Sequence, residues 1–268
     1  MNSLLKRILV PRKKEISGLD IFGIHFPSPI GLAEGNDVNA ERCGSYMNAA
    51  FGFVEIGPLT PLPETPEKHR KLTTKGIRYV ISRIQKDEFH PLISAVLLHN
   101  ASSTDEEHLI EDYASAFSLL YDFVDCFCID TDIRNMDGSR PLQDMSILSE
   151  VLDSLLQSRV CNESYKPLLL KVPADIPGQL LQEMIDYCRM AGVDGIGVLP
   201  GKKAEETIAS ICEYTQGRFP VIGYCPVLRE GAVRDLIKSG ASLVAGGTSF
   251  TSRGPRRIQA LSALFSNK

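Results

Sequence analysis

A lysine stands fourth in the apolar run Leu168-Leu169-Leu170-Lys171-Val172. A cation on such a strand is costly to bury without a task. It can stabilise negative charge on a reduced cofactor or an enolate, or it can simply snorkel out at a barrel mouth. The turn Gly246-Gly247-Thr248-Ser249 follows another apolar run. Its glycines let backbone N–H groups close on an anion and its hydroxyls add donors, which suits a phosphate; the same glycines also serve a tight turn. Cys225-Pro226 is less apt, because Pro226 has no N–H to offer. Asp130, Asp132 and Asp137 crowd a third loop. Three carboxylates there could bind a divalent cation or act as acid and base, or be no more than solvated turn formers; no metal site is assigned. His99 ends a further apolar run and is either a base or structural.

These residues share a position, at the end of a short run rich in Val, Ile and Leu. The runs are Pro29–Ala33, Phe53–Ile56, Leu92–Leu98, Cys126–Ile129, Leu168–Val172, Gly195–Val198, Pro220–Gly223 and Leu243–Ala245. Helical periodicity follows the first through about Ala50, then recurs at Asp105–Tyr121, Met145–Gln157, Pro177–Met190, Lys203–Thr215, Val227–Lys238 and Pro255–Phe265. A long loop rich in Pro and Lys follows the second run. Gly240 is a suitable helix C-cap. Strands apolar on both faces belong to a parallel sheet covered on both sides. Eight such units predict an α/β fold of the (β/α)8 TIM-barrel type, although periodicity alone leaves an open doubly wound sheet as the alternative. Ser17–Phe26 reads as a β-hairpin turned at Gly23 that plugs the bottom of the barrel. The chain then divides into a short extension (1–16), the hairpin (17–28) and the barrel (29–268), all one domain. In a barrel the chemistry lies at the carboxyl ends of the strands, where a small-molecule ligand is expected.

Length and composition agree. The chain has 268 residues and 43% hydrophobic content, too apolar for disorder. A net charge of −4 and a pI near 5.8 argue against a general nucleic-acid binder. No apolar stretch reaches the roughly 18 residues of a transmembrane helix. Seven scattered cysteines without a Cys-x-x-Cys pair read as free thiols, which suits a cytoplasmic protein. The segment Met1–Val10 is too short in its apolar part for a secretory signal; a short amphipathic helix there would make a surface end or a weak membrane contact.

Several segments, in order, resemble the dihydroorotate dehydrogenase family, most closely its quinone-linked class. They are Pro29-Ile30-Gly31-Leu32-Ala33-Glu34-Gly35-Asn36-Asp37, Phe51-Gly52-Phe53-Val54-Glu55-Ile56-Gly57-Pro58-Leu59-Thr60-Pro61, Leu168–Val172, Ala191–Gly195, and Gly240–Val244 followed by Gly254-Pro255. The resemblance implies a barrel that binds FMN and oxidises dihydroorotate to orotate in pyrimidine biosynthesis, with quinone reoxidising the flavin. It assigns Lys171 to the flavin ring, Gly247, Thr248 and Ser249 to the phosphate turn, Ala33 and Gly35 to the flavin-facing first loop, and Asn135 to the substrate loop.

The departures fall on the chemistry. Val38 stands where a lysine is expected, Ile133 where the catalytic serine is, Asp130 and Leu97 where asparagines are, Pro58 where a threonine is, and Cys225-Pro226 where a glycine pair is. A base would have to come from Asp132, Thr131 or Cys225, and loss of a general base alone costs about 10²–10⁴-fold in rate. Three functions follow. One is a flavin oxidoreductase of this type. The second is a non-catalytic barrel descendant that binds another ligand or a partner. The third is a phosphate-binding isomerase built on Lys171 and Thr248.

Overall fold

In the computed structural model the described residues are 18–46, 49–66, 71–86, 91–133, 139–247 and 254–267. Eight parallel strands close a barrel in the order β10-β3-β4-β5-β6-β7-β8-β9. They are β3 (Ile30–Leu32), β4 (Phe53–Leu59), β5 (Leu92–Leu97), β6 (Cys126–Asp130), β7 (Leu168–Val172), β8 (Gly195–Val198), β9 (Val221–Cys225) and β10 (Leu243–Gly246). Helices α1 (Cys43–Tyr46), α2 (Ile77–Ile84), α3 (Glu106–Leu120), α4 (Met145–Val160), α5 (Gly178–Ala191), α6 (Ala204–Tyr214), α7 (Glu230–Lys238) and α8 (Gly254–Ser262) alternate with them. This is the (β/α)8 barrel expected from the eight apolar runs. The open-sheet alternative fails because β10 pairs with β3, Val244 opposite Ile30.

The hairpin forms where the sequence places it. Strand β1 (Leu19–Ile21) pairs antiparallel with β2 (Ile24–Phe26). Phe22 and Gly23, with φ of 55° and 79°, make the turn, a conformation whose twist matches the flanking strands. Phe22 and Phe26 pack with Phe53, Leu169, Ile222 and Leu243 at the amino ends of the barrel strands. Phe26 meets the Phe53 ring edge-on at 5.5 Å. Two glycines make room: a Cβ at Gly31 would lie 2.2 Å from the Phe53 ring, and one at Gly195 2.4 Å from Phe22. The bottom of the barrel is thereby stoppered by aromatic side chains.

Two stretches differ from expectation. Of the helical pattern predicted through Ala50, only Cys43–Tyr46 is α-helical among the described residues. The buried Asp37 accepts the amides of Glu41 and Arg42, both at 2.8 Å, and so offers the backbone an alternative to the helical ladder. Conversely, the loop after the second strand contains α2, whose Ile77, Val80 and Ile84 are buried. An antiparallel bridge between Glu64 and Thr74 fastens the ends of the charged loop before it.

Helix ends follow local chemistry. Asp105 caps α3 by accepting the His108 amide at 3.0 Å. Gly192 closes α5 with φ 95°. A left-handed conformation costs an L residue roughly 1–2 kcal/mol, so Gly192→Ala is expected to lower unfolding stability by about 1 kcal/mol, read as a lower urea midpoint at unchanged m-value. All seven cysteines are free; Cys161 is exposed, Cys212 half-buried and the others buried. Among the described residues no helix is long and apolar enough to cross a membrane. Nor do His, Cys, Asp or Glu side chains there gather into a group able to hold a metal. Asp137 lies outside the described residues.

Candidate functional site

Successive side chains of a barrel strand alternate between interior and helix layer. On β4 this turns Glu55 inward, on β6 Cys128 and Asp130, on β7 Lys171, and on β9 Tyr224. Register brings them level: Asp130 lies opposite Lys171, and Lys171 opposite Gly197. Gly197 matters because a Cβ there would lie 2.7 Å from the Tyr224 ring and 3.2 Å from Lys171 Cγ. Its missing side chain is the space in which the tyrosine and the lysine meet.

Lys171 is fully buried. Its ammonium donates to Glu55 Oε2 at 2.9 Å, stands 3.2 Å from Glu34 Oε1, and lies over the Tyr224 ring, 4.6 Å from the centroid. The Tyr224 hydroxyl donates to Glu55 Oε1. The Glu34 amide donates to Glu55 Oε2 at 3.1 Å. Below, the Cys128 thiol faces Glu55 at 3.8 Å and Ser94 Oγ at 3.4 Å. A buried charge is tolerable only when paired and hydrogen-bonded; Lys171 meets both conditions without any ligand.

Burial pulls the Lys171 ammonium down, but the carboxyls of Glu34 and Glu55 outweigh it and hold the group well above its ordinary value. Burial pushes Glu34 up to about 8; Lys171 opposes this, while Asp130 and Glu55 add to it. Asp130 is also raised, first by burial, against the pull of Lys171 and of the Asp132 amide. Burial holds the Tyr224 hydroxyl and the Cys128 thiol un-ionised.

The other residues singled out in the sequence lie as follows. Ala33 and Gly35 sit in the loop after β3. The Ala33 amide donates to the Gly246 carbonyl at 3.1 Å and the Gly35 amide to Gly57 at 3.1 Å. Gly247 accepts the Leu228 amide at 3.0 Å, and a Cβ on it would lie 2.5 Å from the Pro226 carbonyl. The two turns are thus packed on each other. Thr131 is buried, with its hydroxyl donating to the Lys171 carbonyl at 2.9 Å. Asp132 pairs with Arg140 at 2.7 Å in a half-exposed position, and its amide donates to Asp130 at 2.8 Å. Cys225 follows the inward Tyr224 and so points to the helix layer, its thiol 3.7 Å from the Ala245 carbonyl and pushed by burial up to about 11. His99 is buried beside Tyr113. Thr248, Ser249 and Asn135 lie outside the described residues. Thr131 reaches the Lys171 cluster only through a bond to the Lys171 main-chain carbonyl, Asp132 only through its amide to Asp130, and Cys225 points to the helix layer; the carboxyls gathered there are Glu34, Glu55 and Asp130. Of these, Glu55 carries no role in the sequence, and Glu34 only its place just after the first apolar run. The available signal was Glu55 itself, a lone charge in an apolar strand just as Lys171 is.

No protein-family model matches the chain. It is 26% identical over 279 residues to the dihydroorotate dehydrogenase (quinone) of Christiangramia forsetii, covering 90% of this chain and 82% of that one. The protein of the same name from Cellvibrio japonicus is 27% identical over 303 residues, covering 95% and 87%. Among solved structures, DHODH from Eimeria tenella in complex with ferulenol superposes with a TM-score of 0.80 at 19% identity, over 96% of this chain and 85% of that one. The ligand-free type of that protein gives 0.81 at 20% identity, over 96% and 89%. The structural likeness concerns the barrel; the sequence likeness runs along nearly all of it.

Proposed function

Taking as premise that the chain is a distant relative of the quinone-linked dihydroorotate dehydrogenases, we propose that it keeps their barrel as a small-molecule-binding scaffold and does not oxidise dihydroorotate through FMN. One observation carries this reading: the ammonium of Lys171 is buried and already satisfied by Glu55, Glu34 and the face of Tyr224. A lysine serves a flavin by facing the ring edge where negative charge collects on reduction. Here that direction is taken by the protein's own carboxyls.

The residues present do not fit FMN. A reduced flavin would add negative charge to a mouth where the one ammonium already pairs with Glu55 and Asp130 stands opposite it in register. Two like charges 4 Å apart repel by about 4 kcal/mol at an effective dielectric of about 20, enough to lose roughly three powers of ten in affinity. Dihydroorotate, itself an anion, meets the same opposition from Asp130. The surplus of carboxyl groups suits a neutral or cationic molecule instead.

The absorbance spectrum of the purified protein tests the reading. A colourless protein that leaves added FMN fluorescence unquenched is the expected result. A stoichiometric yellow flavin that bleaches on anaerobic addition of dihydroorotate would overturn it.

A further inference from the structure

The two outermost carboxyls of the cluster have no cation of their own. Lys171 and Glu55, both with fully buried side chains, stand 2.9 Å apart and balance one another. Glu34 turns Oε1 to the same ammonium at 3.2 Å, sharing a charge that Glu55 already holds. Its Oε2 is closed to solvent, and no donor of the described residues faces it. Asp130, at the carboxyl end of β6, is 6% exposed. It accepts the Asp132 amide through Oδ1 at 2.8 Å, and among the described residues it enters no ion pair. A carboxylate buried so deeply calls for a cation or for donors to its remaining oxygens.

The loop after β3 presents Glu34 to open space. The Glu34 side chain is 17% exposed, against none for Lys171 and Glu55, which puts it at the opening of the cluster. Beside it, a Cβ on Gly35 would meet nothing within 4 Å. The backbone is nevertheless fixed. The Glu34 amide donates to Glu55 at 3.1 Å, the Gly35 amide to the Gly57 carbonyl at 3.1 Å, and the Asn36 side chain to the Ala33 carbonyl at 2.7 Å.

We propose that the mouth binds a small organic cation with N–H donors, an ammonium or amidinium group, taken by Glu34 Oε2 and the Asp130 carboxyl. The inference rests on the reading that the barrel holds a small molecule other than FMN, and names its chemical class. One ammonium stands here against three carboxyls, so a second positive charge is what the cluster lacks. Donors on that charge make the stronger, charge-assisted kind of hydrogen bond. A metal ion is a poorer match, because the described His, Cys, Asp and Glu side chains form no group able to hold one. Burial raises both Glu34 and Asp130, the direction that a bound cation reverses.

Three probes of nearly one shape test this on the full chain: acetamidinium, acetamide and acetate, compared at equal ionic strength. Thermal unfolding is followed just above about pH 8, where Glu34 is ionised and the amidinium keeps its charge. Acetamidinium should raise the midpoint progressively, as a ligand of the folded state alone must. Acetamide and acetate should leave it unmoved. Glu34→Gln and Asp130→Asn should each weaken acetamidinium binding at least about ten-fold. A wild-type midpoint indifferent to acetamidinium, an equal response to acetamide or acetate, or unchanged affinity in Glu34→Gln would overturn the proposal. The comparison of probes is made on the wild-type chain, so it stands even where a variant fails to fold. FMN uptake by the wild type, read by absorbance, would instead remove the reading beneath it.

Discussion

Replacing Lys171 with methionine should destabilise the folded chain by about 3–5 kcal/mol, the usual result of removing one partner from a buried ion pair. Methionine fills most of the volume, so the loss is not one of packing. It arises because Glu55, fully buried, loses the ammonium at 2.9 Å and keeps the neutral donors of Tyr224, the Glu34 amide and the Cys128 thiol. The compensating variant separates charge from shape. Lys171→Met/Glu55→Gln should recover most of the stability, since replacing both members of such a pair by neutral groups is often close to neutral. Urea unfolding of the wild type and the two variants measures both effects. A single variant within about 1 kcal/mol of wild type would mean that the pair contributes little and that Lys171 has freedom to serve a ligand.

The second large effect is a fall in stability with rising pH. Glu34 is raised from an ordinary 4.5 to about 8, and Asp130 is raised as well. A group whose pKa is higher folded than unfolded makes the native state bind more protons between the two values. Its contribution is complete below about 4.5 and is lost as pH rises through about 8. On linkage arithmetic the loss is on the order of a few kcal/mol for a shift of this size. The exposed Glu41, Asp105 and Asp144 are lowered, chiefly by hydrogen bonds from Lys75, His108 and Ser146. They act in the opposite sense, at more acid pH. Lys171, held high by its carboxyls, keeps its contribution into strong alkali. Unfolding free energy should therefore decline between about pH 5 and 9, and Glu34→Gln should flatten that decline. A wild-type profile that rises over this interval would show that neither carboxyl holds a proton in the folded chain.

The barrel is legible because its strands announce themselves. Runs such as Leu168–Val172 and Cys126–Ile129 are apolar on both faces, which few other settings demand. Helix α2 is harder to see, because Ile77, Val80 and Ile84 carry the right spacing within a stretch dominated by lysine and proline. The segment after Leu32 misleads in the opposite direction. Its pattern is helical, but Asp37 captures the backbone amides that a helix would need. The site is legible in one half. Lys171 stands out as a charge in an apolar run, and Glu55 in Phe53-Val54-Glu55-Ile56 obeys the same logic. That the two meet, 116 residues apart in the chain, follows only from closure and from the shear that brings β4 and β7 level. Glu34 is less legible still: a loop glutamate carries no mark of burial, and its setting depends on Glu55, Asp130 and Lys171 being placed first. Cys225 shows the limit of reasoning from strand ends, because one residue of register decides between ligand and helix layer, and here Tyr224 takes the inward position.

The seam between β10 and β3 also bears on how the molecule comes into being. Gly246 lies opposite Leu32, and the Ala33 amide reaches across to the Gly246 carbonyl. Synthesis must therefore reach β10 before β3 finds its last neighbour. Until then both flanks of the growing sheet offer unsatisfied backbone groups to any passing chain. Distant pairings of this kind slow folding and prolong exposure to association. Yield during expression should thus depend on how quickly the final segments arrive and on the help of chaperones, more than on the strength of the finished barrel.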